Sequence, residues 1–134
     1  MKPTAAMEDY LEAILFLQKN GIETRVKNIA EELRIKPPSV IEMLKSLSAK
    51  GFILHEERNK IELTTAGREI AEMIQRRHKY IKKFFKDVLG MNEQIADEDA
   101  CKVEHCLSAN TCNRFIEYVQ FLEKQDGSGT DWLN

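Results

Sequence analysis

The sequence predicts a mostly α-helical chain with one small β-hairpin. Apolar residues recur at helical spacing through most of the 134 residues, and the period changes only between Gly51 and Thr65. With 6 Gly and 3 Pro, the chain holds too few breakers for a linker-rich or disordered protein.

The elements follow in order. Met7, Leu11, Ile14, Leu15 and Leu17 form the stripe of an amphipathic first helix, and Asn20-Gly21 stops it. Val26, Ile29, Ala30 and Leu33 give a short second helix. A break at Arg34-Ile35-Lys36 precedes Pro37-Pro38-Ser39, which opens a third helix. Proline suits a first helical turn, where its missing N–H has no partner to lose. Val40, Met43, Leu44 and Leu47 supply that helix's buried face, and Gly51 ends it. Phe52-Ile53-Leu54 and Ile61 with Leu63 flank a polar tip from Glu56 to Lys60, the pattern of a hairpin.

Thr64-Thr65-Ala66-Gly67 leads into a long helix over 66–88, with Ile70, Met73, Ile74, Ile81, Phe84, Phe85 and Val88 inside. Leu89-Gly90 ends it, a short helix is expected near 92–96, and a last long helix runs from Asp99 to Lys124. Asp126-Gly-Ser-Gly-Thr reads as a flexible tail. Two domains are expected, 1–65 and 66–134.

The net charge of −2 hides a gradient. Blocks 1–24, 25–60, 61–86 and 87–134 carry −2, +3, +4 and −7. A basic middle suits a polyanion, and an acidic end suits cations. No apolar run approaches the roughly 18–20 residues that span a bilayer, and the opening MKPTAAMEDY runs straight into the first helix. With 3 cysteines and no secretory pattern, the chain is expected in a reducing cytoplasm, without a membrane partner.

Helix, short helix, three-residue turn, helix, hairpin is the order of a winged helix-turn-helix, whose second helix of the pair reads the DNA major groove. Here that helix begins at Pro37. Lys36, Pro37, Pro38, Ser39, Glu42 and Lys45 are expected on its DNA-facing side, with Lys27, Arg58 and Lys60 near the phosphates. Basic side chains supply affinity, and short side chains near the helix start supply discrimination. A bland reading, a solvated basic face or a protein-docking module, fits the hairpin, turn spacing and local charge less well.

The flanks carry metal-ligand types. Cys101, Glu104 and His105 stand at i, i+3 and i+4, one face of a continuous helix. Asp9 and Glu12 stand at i, i+3 on the first helix, and His78 lies on the long helix. Carboxylates, imidazoles and a thiolate together suit a first-row divalent ion. Each also has an ordinary explanation: acids favoured at a helix start, a small buried thiol, a solvated histidine. At about 100° per residue, Cys106 lies about 140° around the helix from Cys101 and Cys112 lies about 16 Å from it along the axis, so neither bridges to it and both read as packing.

The order of parts resembles the diphtheria toxin repressor and manganese transport regulator family of metal-dependent transcription repressors. The matching segments are Met7-Glu8-Asp9-Tyr10-Leu11-Glu12, Ile29-Ala30 with Pro38-Ser39-Val40, Leu63-Thr64-x-x-Gly67, His78, and Cys101-x-x-Glu104-His105-x-Leu107-Ser108. The resemblance implies an N-terminal winged helix, a helical metal-binding and dimerisation domain, and a ligand set of Asp9, Glu12, His78, Cys101, Glu104 and His105. Asp9 and Glu12 match the manganese branch. His78, Glu104 and His105 match both branches, and Cys101 matches the iron branch. Lys82 and Asp97 stand where the iron branch has a carboxylate and a histidine, so its ancillary site looks incomplete.

The expected function is that of a repressor, not an enzyme. It would bind a palindromic double-stranded operator as a homodimer when loaded with Fe²⁺ or Mn²⁺, and would control metal-uptake genes. Zn²⁺ or Co²⁺ are expected to bind in vitro through the usual affinity order of first-row ions. Phe84, Phe85, Val88 and Leu89 of the long helix, with Phe115, Val119 and Leu122 of the last, are the expected dimer face, or else internal core. The alternative is a winged-helix regulator that senses a small organic ligand or a partner protein. A metal-dependent hydrolase with Glu104 as base lacks a compact motif such as HExxH, and no small-molecule substrate is expected.

Overall fold

A computed structural model describes residues 2–56 and 60–125. In chain order it contains α1 (Ala5–Lys19), α2 (Val26–Leu33), α3 (Pro37–Ala49), β1 (Ile53–His55), β2 (Ile61–Leu63), α4 (Thr65–Lys83), a π-helical segment (Phe84–Val88), α5 (Glu93–Val103) and α6 (Ala109–Glu123). Two compact units divide the chain, Met1–Ile74 and Gln75–Asn134, and the division falls inside α4.

In the first unit, the Thr4 side chain caps α1 by accepting from the Met7 N–H at 3.2 Å. The predicted stripe is buried: Met7, Leu11, Ile14, Leu15 and Leu17 join Ile29, Ala30, Val40, Leu44, Leu47, Phe52, Ile53 and Ile61 in one core. A helix of 8 residues such as α2 is too short to persist alone in water. Burial of Ile29 and Ala30 in that core holds it.

Arg34 caps α2 in the left-handed region at φ 56°, and the Ile35 N–H returns to the Ala30 carbonyl at 3.0 Å, which makes the tight turn into α3. The hairpin is antiparallel, pairing Ile53 with Leu63, Leu54 with Glu62 and His55 with Ile61. The wing is tied to the start of α4 by the Thr64 N–H on the Phe52 carbonyl at 3.1 Å and the Thr64 hydroxyl on the Gly51 carbonyl at 2.7 Å.

The second unit packs Ile81, Ala100 and Cys112 with Phe85, Val103, Leu107 and Phe115. Its helices correct the expected boundaries. A single helix over 99–124 is replaced by α5 and α6 with a break between Val103 and Ala109. Asn92 caps α5 through Ile95 N–H at 2.8 Å, and Ser108 caps α6 through Thr111 N–H at 3.2 Å. Apolar spacing runs on through Val103 and Leu107, both packed on the core, and so hides the break that the Ser108 cap makes.

Further corrections follow. The end of the 66–88 helix is π-helical, and Met73 is exposed rather than internal. With the helix interrupted, the angular argument about Cys101, Cys106 and Cys112 lapses. Cys112 is buried, whereas Cys101 and Cys106 are exposed, so Cys106 is not a packing residue. Of the expected dimer face, Val88 and Val119 are buried in the unit, while Phe84 stacks edge-on with Phe85 and Phe115, the latter at 4.9 Å. The exposed apolar side chains there include Leu89, Tyr118 and Phe121. The predicted tail over 126–130 lies outside the described residues.

Candidate metal centre and nucleic-acid face

On the first unit, α3 presents Pro37, Pro38, Ser39, Glu42 and Lys45 to solvent, with Lys36 immediately before it. Val40, Leu44 and Leu47 are buried on its other side. A shallow groove lined by Pro38, Ser39, Glu42, Met43 and Ser46 runs along this helix. Glu42 and Lys45 pair at 3.3 Å in the open, an interaction worth well under 1 kcal/mol, so both remain available to other partners. Lys27 and Lys60 are exposed, and Arg58 lies outside the described residues. Asp9 and Glu12 are three apart on α1, both part-buried.

The second unit gathers the remaining candidates. Donor atoms of His78, Cys101 and Glu104 all lie within 4.8 Å of one another. His78 comes from α4, Cys101 from the last turns of α5, and Glu104 is the C-cap of α5. Glu104 is fully buried, at 0% exposure. Its Oε2 lies 2.9 Å from Nδ1 of His78, and its Oε1 lies 3.5 Å from Nε2 of His105. That Oε1 has no hydrogen bond. The expected single helical face is corrected here: α5 ends at Val103, and His105 sits in the turn beyond.

Nε2 of His78 lies 2.7 Å from Oδ1 of Asp97. Hydrogen bonds with Cys101, then Glu104, and then Asp97 push the His78 pKa up to about 11 against the opposing effect of burial. The same His78 contact lowers the pKa of Asp97. In the metal-free protein, the imidazolium therefore supplies the positive charge among these groups. Asp97 was seen in the sequence only as a departure from a family pattern. Its spacing to Cys101 and Glu104, i, i+4 and i+7, was the available signal that it shares their helix face.

The donor chemistry fits a divalent transition ion. A buried carboxylate oxygen without a partner is costly unless a cation or water completes it. Imidazole nitrogen, thiol sulfur and carboxylate oxygen at close range are the ligand types of Fe, Mn, Zn and Co sites.

Residues 2–61 match the family model for the iron-dependent repressor N-terminal DNA-binding domain, and residues 64–132 match the model for the iron-dependent repressor metal-binding and dimerisation domain. An uncharacterized HTH-type transcriptional regulator of Methanocaldococcus jannaschii is 41% identical over 116 residues, covering 86% of this chain and 93% of its own. The regulator MntR of Bacillus subtilis is 32% identical over 128 residues, covering 96% and 89%. Among solved structures, the manganese regulator SloR superposes with a TM-score of 0.77 at 28% identity, covering 90% of this chain and 55% of its own. A manganese-dependent repressor in complex with manganese gives 0.79 at 25% identity, covering 86% and 53%. The chain thus spans about half the length of these solved chains.

Proposed function

Since the chain belongs to the iron-dependent repressor family, we propose that it is a transcriptional repressor whose operator binding requires a divalent metal, Fe²⁺ or Mn²⁺. It acts in the cytoplasm as a homodimer on a palindromic operator and controls metal-uptake genes. The family binds DNA and dimerises through its C-terminal domain. The observation that carries the reading is the buried Glu104 carboxylate, with one oxygen lacking a hydrogen bond and with His78, Cys101 and His105 around it.

His78, Cys101, Glu104 and His105 are proposed as ligands on chemistry and proximity. Asp9 and Glu12 are proposed on their family match alone. A bound divalent ion supplies the positive charge that offsets these carboxylates. His78 gives up its Nδ1 proton and Cys101 its thiol proton for such binding, and Glu104 offers Oε1. On the DNA side, the exposed start of α3 reads base edges, and Lys27, Lys36, Lys45, Arg58 and Lys60 hold phosphates. The residue types on α3 are suited to that division: the Ser39 hydroxyl can accept or donate at base edges, the Glu42 carboxylate can accept from them, and the prolines fix the helix start.

The test is DNA binding measured against a panel of divalent ions under reducing conditions, for the wild type and for Glu104→Ala and His105→Ala. Both variants should lose metal-stimulated binding while keeping the wild-type circular dichroism spectrum. Retained metal-dependent binding in both would sink the site.

A further inference from the structure

Asp97 is held in a position with a specific chemical consequence for His78. Its Oδ1 accepts from Nε2 of His78 at 2.7 Å, on the opposite ring nitrogen from the one that meets Glu104 at 2.9 Å. The Lys82 ammonium lies 3.5 Å from the same Asp97 oxygen and 3.4 Å from Oε1 of Glu93. Lys82 stands one helical turn after His78 on α4, and Asp97 stands one turn before Cys101 on α5. Two helices thus present an ammonium, a carboxylate, an imidazole and the thiol–carboxylate pair in sequence.

We infer that Asp97 is a positioning residue: it keeps the proton on Nε2 of His78, so that Nδ1 is the nitrogen offered to a divalent cation together with Cys101 and Glu104. The inference rests on His78 being a ligand, as proposed above. An imidazole that binds a metal through one nitrogen must be fixed in one tautomer, and the hydrogen bond at the other nitrogen does this. Without that acceptor, the ring can turn over and present Nε2 instead, and it becomes a weaker base toward the ion. Asp97 acts as acceptor and not as ligand because the Lys82 ammonium already occupies the cationic place beside its Oδ1.

The experiment uses the full chain, ¹⁵N-labelled at its 3 histidines, metal-free and reduced, titrated with Zn²⁺. Calorimetry gives affinity, and ¹⁵N–¹H multiple-bond spectra give the tautomer of His78, assigned by its absence in His78→Ala. In the wild type, the Nδ1 signal should shift on Zn²⁺ binding while Nε2 keeps its proton. Asp97→Ala should bind Zn²⁺ about 10–100-fold more weakly and, in the Zn²⁺-bound form, show His78 divided between Nδ1 and Nε2 ligation. Asp97→Asn, which retains an acceptor oxygen, should recover much of the affinity and the single tautomer.

Wild-type affinity with the Nε2–H tautomer intact in Asp97→Ala would overturn the inference. So would an Asp97→Asn variant as weak as Asp97→Ala with its tautomer unchanged, since that is the behaviour of a lost ligand. The metal reading fails by a separate outcome: undiminished Zn²⁺ affinity in His78→Ala. If Asp97→Ala loses its fold by circular dichroism, Asp97→Asn alone decides the matter.

Discussion

Replacing Gly67 with alanine tests how the wing is joined to α4. A Cβ at Gly67 would lie 2.0 Å from the Phe52 carbonyl oxygen and 3.0 Å from its carbon. The obstacle is backbone, so it cannot swing aside as a side chain would. That same carbonyl accepts from the Thr64 N–H at 3.1 Å, and the Gly67 N–H is capped by the Thr64 hydroxyl at 3.1 Å. To reach an ordinary contact, strand entry and helix start must part by more than an ångström. That separation puts both hydrogen bonds at risk.

Overpacking of this kind costs about 1–3 kcal/mol, and a lost cap about 1 kcal/mol more. Alanine's better helix propensity returns at most about 1 kcal/mol, so the clash wins. The net loss should be about 1–3 kcal/mol, read by guanidinium denaturation of the metal-free protein. Gly51→Ala is the control: at φ +78° with nothing within 4 Å of its Cβ, it is a strained backbone without a clash, costing about 1–2 kcal/mol. A Gly67→Ala protein within about 0.5 kcal/mol of wild type, the range of a neutral surface change, would refute the reasoning.

Other expectations can be checked directly. Ser108→Ala should destabilise the protein by about 1 kcal/mol by removing the cap of α6, visible as a shifted denaturation midpoint. Metal affinity should fall as pH falls, because ligation displaces the proton that His78 holds up to about pH 11. Each proton released lowers affinity by about tenfold per pH unit of acidification, and calorimetry in two buffers of different ionisation enthalpy counts those protons. The metal-free protein should show the opposite trend. The His78 pKa is raised from 6.5, so its stabilising share is complete below pH 6.5 and fades as pH rises toward 11, read by denaturation at fixed temperature.

Much of this was legible in the chain because local signals and packing agree. The α1 stripe from Met7 to Leu17 is the stripe that is buried, and Pro37-Pro38 opens α3 where proline chemistry demands. Periodicity failed at the α5–α6 junction, since Val103 and Leu107 keep helical spacing across a real break and only the Ser108 cap betrays it. Periodicity also placed Met73 inside, where it is exposed, while Val88 is buried as expected. At the site, residue types and the i, i+3, i+4 spacing were enough to single out Cys101, Glu104 and His105. They were not enough to show that Asp97 and Glu104 take opposite nitrogens of one imidazole, which depends on how α4 and α5 pack.

The break after Val103 also bears on why this carboxylate suits a metal switch. Glu104 caps the C-terminal end of α5, where the helix dipole is negative and an anion is disfavoured. It is fully buried, and one oxygen is left without a hydrogen bond. Each of these raises the cost of its negative charge, and a neutral residue would avoid all of them. The geometry makes sense if positive charge is always nearby. In the metal-free protein the His78 imidazolium provides it at 2.9 Å; in the proposed loaded state a divalent ion takes that part. Proton and metal then compete for the His78 nitrogen that faces this buried carboxylate. The strength of that competition sets how much free metal is needed before the second form prevails.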